Sequence, residues 1–167
     1  MGRSRSFELE VTRPSDFIVG EAVVISVAGL RLKLLSSTQN IEAIIATALL
    51  TTSTPSNPMD IYRRLLRDPE KIKALLNRVE LHHGSLLEHN QLCWLLEASK
   101  DEVLEILMKS HFFYVTPLGE LNWLVSSNLR TALRYVQRHK DEFSEALMET
   151  IRAVAPNLSE VLGRNEI

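Results

Sequence analysis

Apolar residues change their spacing between residues 31 and 49, and this change sets the fold class. Arg31-Leu32-Lys33-Leu34 places leucine at every second position, the pattern of a strand with one buried face. Ile41, Ile44, Ile45, Ala48 and Leu49 then return every three or four residues, the pattern of a helix with one buried face. Both patterns recur along the chain. Gln91–Leu96 and Leu121–Val125 read as strands, whereas Val103, Ile106 and Leu107 mark a helix, as do Leu129, Ala132, Leu133 and Val136. A chain that alternates the two must lay helices on a sheet. The expectation is a single α+β domain over residues 1–167, with a small mixed or antiparallel sheet. Strands from 23–36, 91–96 and 121–126 should share that sheet.

Boundary signals fill in the rest. Phe7-Glu8-Leu9-Glu10-Val11 alternates, and residues 1–16 read as an N-terminal extension. Residues 17–36 suit one or two strands, with Gly29 at a turn or bulge. Asn57-Pro58-Met59-Asp60 and Asp68-Pro69-Glu70 each offer a cap, a first-turn proline and an acid near the helix N-terminus. Ser85-x-x-Glu88 and Ser99-x-x-Glu102 have capping-box spacing. His111–Thr116 is aromatic and β-branched and reads as strand, followed by a turn at Pro117 and Gly119. Asn128 opens a long helix, Phe143–Val154 forms another, and Pro156 and Gly163 bracket a last short one.

Composition excludes several classes. Nineteen basic against 21 acidic residues leave a net charge of −2, without the basic footprint of a nucleic-acid binder. No apolar run reaches the roughly 18 residues of a membrane span. The basic N-terminus is not followed by the apolar stretch of a secretory signal, so a cytoplasmic location is expected. Cys93 is the only cysteine, which excludes an internal disulfide and a cysteine-cluster zinc site. It lies in an apolar run, where a thiol behaves as an inert hydrophobe.

Two polar clusters could carry chemistry. The first is His82-His83-Gly84-Ser85-Leu86-Leu87-Glu88-His89. It fails the zinc-helix patterns HExxH and HxxEH, so no metal is assigned. Its serine and glutamate read as a capping box, flanked by histidines at a place where an anion could sit. The second is Arg130, Arg134 and Arg138, whose spacing of four sets them on one helical face. Guanidiniums in such a row suit phosphate. A solvated face paired with acids such as Glu142 and Glu145 is the plainer alternative.

Together these clusters resemble a known family. His83-Gly84-Ser85-Leu86-Leu87-Glu88-His89 is similar to the H-x-S-x-x-E-H segment of the flavin-dependent (complementing) thymidylate synthases. Asn128-Leu129-Arg130, with Leu133 and Tyr135-Val136 after it, resembles the family's late N-x-R helix, and Leu32–Thr51 resembles its opening strand and helix. Those homotetrameric enzymes share active sites between subunits and use FAD, NADPH and a methylene-folate to methylate deoxyuridylate (dUMP). The resemblance implies a homotetramer and FAD as cofactor. It puts His83 and Ser85 near the flavin and makes Asn128, Arg130 and Arg134 binding residues, with Arg130 foremost. Glu88 and His89 would anchor their segment. Lys109, Arg138 and His139 would fall on the substrate side.

The departures carry equal weight. Where the family has its R-H-R-x7-S run, this chain reads Met108-Lys109-Ser110, leaving Lys109 as the only cation there. His111–Thr116 stands in place of the serine-rich nucleotide loop, and a middle helical segment is missing around Pro117–Glu120. His139 falls where an arginine closes the late helix, and adjacent Arg138 would point elsewhere on the helix. The expectation is a shortened, divergent relative that binds FAD or a nucleotide without methylating dUMP, its catalytic residues unknown. An active enzyme with a rearranged site and a ligand-free assembly or interaction protein are the alternatives.

Overall fold

A computed structural model of the chain describes residues 23–27, 29–79 and 84–164, with side chains as far as Val161. Strands β1 (Val24–Val27) and β2 (Leu30–Ser37) meet at a turn through Gly29, whose φ of 101° suits glycine. Helices α1 (Ile41–Thr51), α2 (Pro58–Leu65), α3 (Pro69–Leu76) and the short α4 (Gly84–Glu88) follow. Strand β3 (Gln91–Glu97) leads into helix α5 (Lys100–Lys109), then into the hairpin of β4 (Tyr114–Pro117) and β5 (Asn122–Asn128). Helices α6 (Leu129–Arg138), α7 (Glu142–Val154) and α8 (Pro156–Arg164) close the order. The fold is α+β.

The strands form one sheet in the order β1-β2-β3-β5-β4, and every neighbouring pair is antiparallel. The expected strand regions therefore share one sheet. Alternation on the central strand β3 turns Leu92, Trp94 and Leu96 to the buried face, where Trp94 stands opposite Leu34 and Val125. Helix α7 lies against β1 and β2, and its Phe143, Leu147 and Ile151 join the core. Trp94 is fully buried, and its indole N–H donates to the Thr150 hydroxyl at 3.1 Å. A smaller apolar cluster of Ala46, Ile61, Leu65 and Leu75 ties α1, α2 and α3 together.

Several helix starts follow their local chemistry. The Asn57 side chain accepts from the Met59 amide at 2.8 Å, with Pro58 in the first turn. The Asp68 carboxylate accepts from the Lys71 amide at 3.1 Å. Ser99 and Glu102 form the reciprocal box: the Ser99 hydroxyl accepts from the Glu102 amide at 3.3 Å, and the Glu102 carboxylate accepts from the Ser99 amide at 2.6 Å. Hydrogen bonding to the carboxylate from the Ser99 side chain, and then from the Ser99 amide, holds the Glu102 carboxyl below its usual range.

Other expectations need correction. Ser85 is not a cap, because α4 already includes Gly84, and Ser85 sits exposed inside the helix. Glu88, its presumed box partner, turns instead to Arg130. Residues 111–113 are a turn, and the strand begins only at Tyr114. The reason is tertiary: the Phe113 ring leaves the strand path to pack edge-on against Tyr135 and Phe143, with centroids 5.6 and 5.5 Å away. The final strand runs past Val125 to Asn128. Residues 1–16, with the alternating stretch 7–11, lie outside the described residues, as do 17–22. Among the described residues no helix is long and apolar enough to cross a membrane.

The two serines should now separate in their effects. Ser99→Ala is expected to cost about 1 kcal/mol in urea unfolding, as loss of a cap does. Ser85→Ala should change stability by no more than about 0.5 kcal/mol, as at an ordinary exposed position.

Candidate functional site

Helix α6 starts with no connecting loop. Asn128 is the last residue of β5 and also the cap of α6, its side-chain oxygen accepting from the Thr131 amide at 2.9 Å. The Leu129 amide donates to the Asn90 carbonyl at 2.8 Å, which ties the same point to the entry of β3. The helix buries Leu129, Ala132, Leu133, Tyr135 and Val136. Its other face carries Arg130, Arg134 and Arg138, and all three line a cleft of about 340 Å³.

Asn128, Thr131 and His139 complete that wall, and Glu88, Lys109, Ser110, His111 and Phe112 line the rest. The structure thus gathers Asn128, Arg130, Arg134, Lys109, Arg138 and His139 at one place. Ser85 does not line the cleft, and His83 lies outside the described residues. Arg138 and His139 reach the cleft together, against the expected divergence. The helix ends at Arg138, and His139 takes an extended backbone (φ −127°, ψ 139°), so the helical offset between neighbours does not apply to this pair.

The three arginines differ in their partners. Arg130 Nη1 donates to the Glu88 carboxylate, and the guanidinium presses on the bare Cα of Gly84, where a Cβ would overlap it. Arg130 Nε is buried with no acceptor among the described residues. Arg134 and Arg138 are exposed and have no ion pair or hydrogen bond among the described residues. Glu142 and Glu145, offered by the sequence as partners, do not reach them.

Lys109 is committed elsewhere. Its ammonium donates to Glu105 at 2.6 Å and to Asp141 at 2.8 Å. Asp141 first, then Glu105, raises the Lys109 pKa. Asp141 also accepts from the Tyr135 hydroxyl at 2.9 Å and from the Ser144 amide at 2.8 Å, capping α7. Burial alone would raise the Asp141 carboxyl, but the bonds from Lys109, Ser144 and Tyr135 together hold it below its usual range. Burial, reinforced by the Asp141 bond, pushes the Tyr135 hydroxyl far up, and its ring lies 4.6 Å from that of His139. The network therefore locks one end of the cleft and neutralises its lysine. Met108 is 83% exposed and outside the cleft.

A pH dependence follows from Asp141. Its folded pKa is depressed, so its contribution to stability is present above the unfolded value of about 3.9 and fades as pH falls through the lower folded value. Thermal melting in acid should show this loss. In Asp141→Asn the part of the acid sensitivity due to this group should vanish, and stability near neutral pH should drop.

Sequence reasoning missed Asp141, the partner of Lys109. Asp141-x-x-Ser144 carries a readable cap signal, but its link to Lys109 does not. Among the described residues no group of three His, Cys, Asp or Glu side chains could hold a metal ion. Cys93 is half-buried, and burial raises its thiol pKa. No protein-family model and no curated protein sequence matches the chain.

Proposed function

We propose that the cleft holds the phosphate end of a flavin, FAD, or of another nucleotide, and that the protein does not methylate dUMP. The observation that carries this reading is the pair Arg134 and Arg138, unpartnered among the described residues on the wall of a 340 Å³ cleft. A cleft of that size lies in the range of small-ligand sites. Charge-assisted bonds from guanidinium suit a phosphate better than any neutral donor does. His111 and Phe112 also line the cleft and supply aromatic rings for a planar group. In this reading Arg134 and Arg138 meet the ligand first, ahead of Arg130, which is already engaged by Glu88.

Loss of methylation rests on four positions. Met108 has no charge and lies outside the cleft, Lys109 already bridges Glu105 and Asp141, and Ser110 replaces a guanidinium with a hydroxyl. His139 puts an imidazole where the family has an arginine. With dUMP, FAD, NADPH and methylene-folate all present, no thymidylate and no dUMP-dependent NADPH oxidation should form. The binding half is tested by titrating FAD and flavin mononucleotide into the purified protein and following flavin absorbance and fluorescence. Absence of binding would refute it.

An assembly role is the second reading, favoured by one observation. Leu104, Met108, Phe112 and Tyr114 are large apolar residues exposed along α5 and into the edge strand β4. Exposed apolar residues that form one patch mark an interaction surface. A cytoplasmic homotetramer fits either reading, and light scattering on the 19.0 kDa chain measures its mass in solution.

A further inference from the structure

Arg130 is the one arginine of the row that does not stand free, and its surroundings show an imperfect match. Among the described residues only Nη1 has an acceptor, the carboxylate of Glu88, while Nε is buried with none. A guanidinium is built for paired contacts, and a buried N–H without an acceptor is unfavourable. The position is possible only because residue 84 is glycine and leaves room beside the guanidinium. Glu88 and Arg130 both line the cleft, and Arg130 stands one helical turn from Arg134. The carboxylate therefore occupies, on the first rung of the row, the role that an anionic ligand would take on the other two.

We infer that Glu88 is an internal competitor for the phosphate site: it parks Arg130 against Gly84, and an incoming phosphate recruits Arg130 by displacing the carboxylate. This rests on the anion-binding reading of the cleft and adds a selectivity to it. A singly charged anion is held by Arg134 and Arg138 and leaves the Glu88–Arg130 pair intact. A multiply charged phosphate ester or pyrophosphate gains a third guanidinium, and Arg130 gains the acceptors it lacks. Glu88 then sets a threshold that favours ligands of higher charge.

The test is a double-mutant cycle read by calorimetric titration of inorganic pyrophosphate into the full chain, using wild type, Glu88→Gln, Arg130→Ala and the double variant. Glu88→Gln is expected to bind about tenfold more tightly than wild type, the scale of one charge-assisted contact released to the ligand. That gain should disappear when Arg130 is alanine. Weaker binding by Glu88→Gln would mean that Glu88 positions Arg130 for the ligand, and would overturn the inference. So would an equal gain in the Arg130→Ala background, which would make the effect general charge removal. If Glu88→Gln does not fold, Glu88→Asp withdraws the carboxylate by one methylene and should still tighten binding about threefold, a fraction of the same contact. Unchanged affinity there would overturn the inference. If wild type binds and Glu88→Gln binds no better, the anion site stands and the competitor role falls. If neither binds pyrophosphate, the anion site falls with it.

Discussion

Replacing Arg134 and Arg138 together by alanine is expected to abolish measurable flavin or pyrophosphate binding while leaving the fold intact. Each charge-assisted hydrogen bond contributes about 1.5–3 kcal/mol, so losing both weakens binding by roughly 100-fold to 10,000-fold. The fold should survive because both side chains are exposed and make no ion pair or hydrogen bond among the described residues. Flavin titration gives the affinity and urea unfolding gives the stability. Each single variant should lose a share of the affinity. Arg130→Ala should lose less than either, because in the wild type the contact that Arg130 gives the ligand is offset by the Glu88 bond it must give up. Equal binding by the double variant would remove the arginine row from the site.

The largest effect on stability is expected at Trp94. Truncating this fully buried indole to alanine opens a cavity on the central strand and should cost about 3–5 kcal/mol. A domain holds only about 5–15 kcal/mol in total, so Trp94→Ala removes a large part of it. The Thr150 hydroxyl loses the indole donor but keeps its own bond to the Leu147 carbonyl at 2.8 Å. Trp94→Phe retains most of the volume and should cost markedly less. Urea midpoints for the two variants separate the cavity from the hydrogen bond. A small loss in Trp94→Ala would mean that the core collapses around the gap.

What the sequence made legible was local. Asn57-Pro58, Asp68-Pro69 and Ser99-x-x-Glu102 start helices because cap, proline and acid act within one turn. The arginine row was visible because spacing of four suffices to define a helical face. Contacts between distant segments were not visible. Nothing in the pattern at 85–88 shows that Glu88 meets Arg130, and a serine three residues before a glutamate imitates a cap when a glycine has already begun the turn. Likewise, nothing near Lys109 announces Asp141. The aromatic run at 111–113 has strand propensity, but the demand for Phe113 in the core outweighs it.

The fusion of β5 to α6 at Asn128 also governs where the chain tolerates changes in length. A loop absorbs an extra residue by rearranging its own backbone, as the tip at 118–121 and the stretch 52–57 can. Asn128 has no such slack, because it is a sheet partner of Gln91 and a helix cap at once. One residue inserted there would turn α6 by about 100° relative to the sheet. Either the buried row of Leu129, Leu133 and Val136 would face water, or the guanidiniums would leave the wall of the cleft. Insertions and deletions should therefore accumulate at the hairpin tip and between α1 and α2, while the strand-to-helix joint keeps its count of residues.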